Sequence, residues 1–343
     1  MHFSKPNRPI KLMEICGTHT MSIARSGIKN LLPEDVKLIS GPGCPVCVTP
    51  SSLIDLAYDL AQRPDILLCS YGDLFRIPGS KHPSLQGLPQ VKICLSCMDA
   101  LTLAQENPSK NVVFLGVGFE TTAPGSAIAI LEAQKQNIQN FFFLSLLKQT
   151  KPAICTLLEQ ENTQIDGFLC PGHVAAIIGE QGFTFLPSQY HRPGVISGFD
   201  PEDILYSIEL LIQMLNQNKP AIQNTYGRIV KPQGNQTAQA IIQKVFEPKD
   251  SLWRGLGNIS KSGLQLKKEY ETWDAWKRFN LPPLTNTDPK GCQCASILCG
   301  QKEPKQCPLF KTVCKPQTPI GPCMVSNEGA CAASYLYESE DLL

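Results

Sequence analysis

Val112-Val-Phe-Leu-Gly-Val-Gly-Phe-Glu-Thr-Thr122 is the stretch on which the reading of the fold turns. Val112 to Val117 is a short, continuous apolar run. A glycine turn, a carboxylate and two hydroxyls follow, and a helical pattern then occupies about 122–137. A continuous apolar run suits a strand buried on both faces, and the helix beside it supplies the cover.

The same unit recurs on either side. Strands are expected at Lys11 to Cys16, Val36 to Ser40, Ile66 to Ser70, Val91 to Leu95, Phe141 to Leu146, Gly167 to Cys170 and Gly194 to Gly198. Helices are expected at about 18–30, 51–62, 98–106, 151–161, 173–180 and 201–218. Strands alternating with helices argue for an α/β fold with parallel sheets. The recurring unit fits two similar α/β lobes, and the periodicity fades after about residue 220, ahead of a smaller Cys-rich part. Beyond Leu281-Pro-Pro283 the tail from 288 to 330 is rich in Cys, Pro and Gly. Such a tail has few large apolar side chains, and a metal centre is the usual device for fixing one. Four consecutive parts are drawn: 1–30, 31–108 and 109–225, carrying the N-terminal segment and the two lobes, and 226–343.

Composition excludes several classes. The chain has 343 residues, enough for two or three domains of about 150. Apolar residues make up 42%, which excludes a disordered chain. Lys plus Arg is 31 against 30 for Asp plus Glu, so no charge footprint points to nucleic acid or to an anionic membrane surface. No apolar run approaches the roughly 20 residues of a bilayer span. No signal-peptide pattern follows Met1, and the expected compartment is the cytoplasm.

Cysteine is the outlier, with 15 in the chain. Seven of them (Cys292, Cys294, Cys299, Cys307, Cys314, Cys323 and Cys331) fall in the last quarter. A large chain without a signal peptide favours metal or redox chemistry over a disulfide scaffold. Cys292, Cys307, Cys314 and Cys331 give C-x14-C-x6-C-x16-C. Zinc ribbons prefer close CxxC pairs, whereas ligands from separate loops suit an iron–sulfur cluster. Spacing alone does not choose four ligands from seven cysteines, and Cys294, Cys299 and Cys323 stay eligible.

Further groups stand at expected strand ends, where ligands bind in open α/β sheets. Cys44-Pro-Val-Cys47 is a CxxC close to a helix start, where backbone N–H groups lower a thiol pKa and favour disulfide exchange; half of a metal site is the other reading. Cys94-Leu-Ser-Cys97 has the same spacing within an apolar context and reads as packing. Cys16-Gly-Thr-His19 sets a thiol and an imidazole three residues apart, fit for proton exchange or a soft metal, or equally for a buried Cys beside a capping Thr. Glu120, Thr121 and Thr122 form a polar turn, and Pro171-Gly-His173 offers a second imidazole. Gly116-x-Gly118 is no dinucleotide loop, because Thr121 stands where the third glycine belongs.

Taken together, Glu14-Ile-Cys-Gly-Thr-His19, Gly41-Pro-Gly-Cys-Pro-Val-Cys47, Gly118-Phe-Glu-Thr-Thr122, Pro171-Gly-His-Val174 and Gly321-Pro-Cys-Met-Val-Ser-Asn-Glu-Gly-Ala-Cys331 closely resemble the HypD family. These are maturation factors for nickel–iron hydrogenases, and the resemblance spans about residues 10–337. It implies a 4Fe-4S cluster on Cys292, Cys307, Cys314 and Cys331, with Cys44 and Cys47 as a dithiol/disulfide pair close to it. It implies that Cys16 and His19 lie where iron carrying cyanide and carbon monoxide is assembled. Glu120, Thr121, Thr122 and His173 would line the same place. The implied partners are a small HypC-type chaperone, whose cysteine supplies another sulfur, and a cyanide-delivering HypE-type protein. The implied activity is that of a redox-active assembly scaffold with thiol–disulfide chemistry, not of a conventional turnover enzyme. The family pattern does not lead one to expect Cys94, Cys97 or Cys299. Two rival readings use the same residues: an iron–sulfur-dependent protein disulfide reductase, and a zinc-binding adaptor.

Overall fold

The structure, a computed structural model, describes residues 3–160 and 164–338. Its strands in chain order are β1 (Ile10–Glu14), β2 (Val36–Ser40), β3 (Ile66–Ser70), β4 (Val91–Ile93), β5 (Asn111–Gly118), β6 (Phe141–Leu147), β7 (Gly167–Pro171), β8 (Gly194–Ser197), β9 (Ile222–Asn224), β10 (Phe246–Trp253) and β11 (Gly257–Leu266). The chain divides into two compact units, each built from separated segments. Met1–Cys47, Ala153–Gln236 and Gly291–Leu343 form the first; Val48–Pro152 and Thr237–Lys290 form the second.

In the first unit a five-stranded sheet runs in the order β2-β1-β7-β8-β9. Its pairs are parallel, with Glu14 opposite Ser40 on one side and Leu169 on the other. The helix Pro201–Asn216 covers part of it. Proline at its first turn and Glu202 and Asp203 beside it favour the start, and Ile204, Ile208, Leu211 and Ile212 form its buried stripe. These side chains pack with Leu12, Leu38, Leu169 and Val195 from the strands into one core. The Cys-rich segment belongs to this unit. It carries little regular structure: short helices at Cys294–Leu298 and Ala330–Tyr337, and single turns at Pro304–Gln306 and Pro322–Met324.

In the second unit a parallel sheet runs β4-β3-β5-β6. Every residue of β6 is buried, as the continuous run Phe141 to Leu147 requires. An antiparallel hairpin, β10 and β11, is joined to this sheet by Ser145, whose hydroxyl donates to the carbonyl of Leu264, and by a bridge between Lys148 and Gly263.

The α/β class and the parallel sheets agree with the sequence reading. Ends shift by a few residues. The helix expected over 18–30 is Gly17–Arg25, because Gly27 adopts φ +61 and a separate turn, Ile28–Leu31, follows. The helix expected over 151–161 is Thr150–Leu158, and Glu161 lies outside the described residues. The hairpin was not expected. Pro248 stands within its first strand, and only two of that strand's eight residues are buried, so the segment lacks a strand's usual pattern. Among the described residues no helix is long and apolar enough to cross a membrane.

Candidate functional site: a thiol-rich centre in the first unit

Three strands of the first sheet end in the loops singled out from sequence. β1 leads into Cys16-Gly-Thr-His19, β2 into Gly41–Cys47, and β7 into Gly172-His173. Cys16 is the extended residue immediately before the helix Gly17–Arg25. The β2 loop lies directly against it: the Gly17 amide donates to the Gly43 carbonyl at 3.1 Å. A Cβ at Gly43 would sit 2.2 Å from the backbone nitrogen of Cys16, so only glycine permits this approach. Cys16 and the CxxC loop are thus neighbours because two strand ends converge and one residue has no side chain.

Burial controls the chemistry here. Cys16 is pushed up to about 12 by burial, against the pull of the His19 amide, with Glu14 and Glu328 adding to the rise. His19 is fully buried and pushed down to about 4, mainly by burial. The idea that a protonated His19 would favour a Cys16 thiolate is therefore corrected: both groups are neutral near pH 7. The Gly198 carbonyl can only accept, so His19 donates from Nε2 at 2.8 Å. Nδ1 then carries the lone pair, and it has no partner among the described residues.

Three residues of this centre carried no assignment from sequence. Glu14 accepts from the Cys16 amide at 3.0 Å and from the Thr20 hydroxyl at 2.5 Å, and burial raises it to about 7. Glu328 accepts from the Thr18 hydroxyl at 2.7 Å, and its charge acts on both Cys16 and His173. Phe199 stacks between the imidazoles, its ring 4.7 Å from that of His19 and 4.1 Å from that of His173.

The CxxC pair leads away from Cys16 into the C-terminal thiols. The Cys47 amide donates to Cys44 Sγ at 3.3 Å. The thiols then follow in an unbroken hydrogen-bonded chain: Cys44 with Cys47, Cys47 with Cys323, Cys323 with Cys294, and Cys294 with Cys292. The expected lowering at Cys47 does not occur. The hydrogen bond from Cys323 favours its thiolate, but the bond it shares with Cys44, together with full burial, pushes it well up. The nearest helix begins only at Ser52.

Cys292, Cys294, Cys307, Cys314, Cys323 and Cys331 line one small cavity together with Leu309, Phe310 and Met324. Burial raises Cys331, and the charges of Cys292, Cys314 and Cys307 raise it further, while Cys331 in turn acts on Cys294 and Cys323. The Ile320 amide donates to Cys314 Sγ at 3.3 Å. A Cβ at Gly321 would come within 2.6 Å of Cys292 Sγ. Among the described residues, no carboxylate or imidazole lines this cavity. Among the described residues no three His, Cys, Asp or Glu side chains are grouped to hold a single metal ion. A four-iron cube takes its four thiolates at separate corners, and an all-sulfur donor set in an apolar shell suits it.

Glu120, Thr121 and Thr122 belong to the second unit. The Glu120 carboxylate accepts from the Thr150 amide at 2.7 Å and from its hydroxyl at 2.8 Å, and burial raises it. Thr122 precedes the helix Ala123–Lys135, but its hydroxyl donates to the Phe119 carbonyl and makes no cap bond. Thr121 is exposed. Cys94 and Cys97 lie in this unit's core with Cys69, which is hydrogen-bonded to Cys94.

The family model HypD, described as "Hydrogenase formation hypA family", matches residues 1–338. Hydrogenase maturation factor HypD of Escherichia coli (strain K12) is 44% identical over 338 residues, covering 97% of this chain and 91% of the relative. Hydrogenase maturation factor HypD2 of Bradyrhizobium diazoefficiens is 43% identical over 343 residues, covering 97% and 90%. Hydrogenase expression/formation protein HupD of Azotobacter chroococcum is 43% identical over 342 residues, with the same coverage. The chain with this thiol centre therefore belongs to the HypD family of hydrogenase maturation factors.

Proposed function

We propose that this chain is a redox-active scaffold on which iron carrying cyanide and carbon monoxide is assembled before its insertion into a nickel–iron hydrogenase. The observation that carries this reading is the thiol chain, which begins in the loop touching Cys16 and ends at Cys292. Cys16 is the proposed thiolate ligand of the iron, since low-spin iron with such ligands needs soft donors. Burial holds Cys16 protonated, so taking up iron must release a proton. His19, pushed down to about 4, is too weak a base to keep that proton, and its proposed role is to fix this turn through its bond to the Gly198 carbonyl.

Cys292, Cys307, Cys314 and Cys331 are the proposed holders of a 4Fe-4S cluster. When bound, the cluster supplies electrons singly at the far end of the thiol chain. The chain's own residues perform the two-electron part. The Cys323 thiol gives up its proton as it attacks Cys47 of a Cys44–Cys47 disulfide, the S–S bond breaks, and Cys44 leaves and takes that proton. Cys294 then attacks Cys323 and frees Cys47. Two electrons have moved to the Cys44/Cys47 pair, and Cys294 and Cys323 are left as the disulfide.

A small HypC-type chaperone bringing a second sulfur and a HypE-type protein delivering cyanide are the proposed partners, and the cytoplasm is the proposed compartment. Glu120, Thr121 and Thr122 keep their place through the family motif, and His173 through its stack on Phe199. The test is replacement in cells that lack their own factor of this family. The wild-type chain should restore nickel–iron hydrogenase activity, and Cys16→Ala and Cys47→Ala should not. Activity with Cys16→Ala would remove the ligand role.

A further inference from the structure

A cavity of about 250 Å³ lies in the second unit at the end of β6, among Ser145, Lys148, Lys249, Ser251 and Trp276. Lys148 is only 3% exposed. Its amino group donates to Ser251 Oγ at 2.9 Å and to the Leu252 carbonyl at 2.7 Å, and lies 4.8 Å above the Trp253 ring. Lys249 stands 5.3 Å from the Trp276 ring. Among the described residues neither lysine makes an ion pair. The carboxylate in the lining, Asp250, accepts from the Ser260 hydroxyl and the Lys261 amide of its own hairpin. Asp274 attracts Lys249 but is also engaged in capping Trp276.

Two amines held by neutral acceptors and ring faces beside an open volume lack the counter-charge that would hold both of them protonated. Burial, with the charge of Lys249, pushes Lys148 down to about 7. An anion between the two amines would return the charge to Lys148 and hold both ends. The position is the one α/β sheets use for ligands, beyond the carboxyl end of a strand. We propose that this cavity binds a small molecule bearing a phosphate or carboxylate group, gripped by Lys148 and Lys249 with the Ser251 hydroxyl as a further donor. The proposal does not rest on the thiol chemistry of the first unit.

Calorimetry of the full chain with sulfate, standing in for a phosphate group, and with acetate tests it. Titrations at pH 8 in two buffers of different ionisation enthalpy read the protons taken up. The expected result is binding of one or both anions with uptake of about one proton, because Lys148 moves from amine to ammonium. Lys148→Arg should bind with no uptake, and Lys249→Met should bind about tenfold more weakly. Sulfate binding alone assigns a phosphate-bearing ligand, and acetate binding alone a carboxylate. No binding of either anion by the wild type, or unchanged proton uptake in Lys148→Arg, overturns the proposal.

Discussion

Cys47 and Cys323 sit on segments far apart in the chain, yet their thiols are hydrogen-bonded to each other. That contact joins the CxxC loop after β2 to the Cys-rich segment. It makes two sequence features one device: a dithiol at one end and the sulfurs that line one small cavity at the other.

Removing Cys323 should cut the device without dismantling either end. In Cys323→Ser, thiol trapping after anaerobic reduction by dithionite should find Cys44 and Cys47 still oxidised, while visible absorption from the cluster persists. Full alkylation of Cys44 and Cys47 in this variant would mean that electrons take another route.

Cys292, Cys307, Cys314 and Cys331 should separate from Cys299 by metal content. Cys307→Ala and Cys331→Ala should lose most iron and acid-labile sulfide, and anaerobic chelation of the wild type should remove both together. Cys299 is outside the cavity lining, and Cys299→Ala should keep the wild-type iron and sulfide. Zinc in place of iron and sulfide would point to a structural site.

His19 makes a pH prediction. Its value falls from 6.5 in the unfolded chain to about 4 in the fold, so between these values the unfolded chain binds more protons. Stability is then complete above pH 6.5 and is lost as pH falls toward 4, by about 3 kcal/mol. Denaturant midpoints measured across that window should fall for the wild type and flatten for His19→Gln. An equal slope in both would assign the acid sensitivity elsewhere.

Gly43→Ala tests the approach of the two loops. The new methyl group meets the Cys16 backbone, which cannot rotate away, so a loss of at least about 2 kcal/mol is expected in chemical denaturation. A variant as stable as the wild type would show that the loops are not held this closely.

Much of this centre was legible in the sequence, and the reason is local. Cys16, Cys44 and His173 follow short runs such as Ile10–Glu14 and Val36–Ser40, whose large apolar residues mark a strand and so place the next residues at its end. Glu328 and Phe199 were not legible, because each acts through a contact across the fold: Glu328 with Thr18, and Phe199 with His19 and His173. The motif Gly321–Cys331 contained Glu328 in plain view, but spacing says nothing about which side chain a carboxylate will meet. Cys294 and Cys323 were eligible as cluster ligands, and only packing puts them in line with Cys47. The thiol pKa directions at Cys16 and Cys47 were misjudged for one reason: motif arguments weigh neighbouring charges, whereas complete burial outweighs them here.

The most direct test is the infrared spectrum of the chain purified anaerobically from cells that make nickel–iron hydrogenase, compared with that of Cys16→Ala. The wild type should show stretching bands of iron-bound cyanide and carbon monoxide, and the variant should lack them while keeping its cluster absorption. Bands that persist in Cys16→Ala, or a wild type that never shows them alone or with its partner chaperone, would contradict assembly of the iron at this thiol.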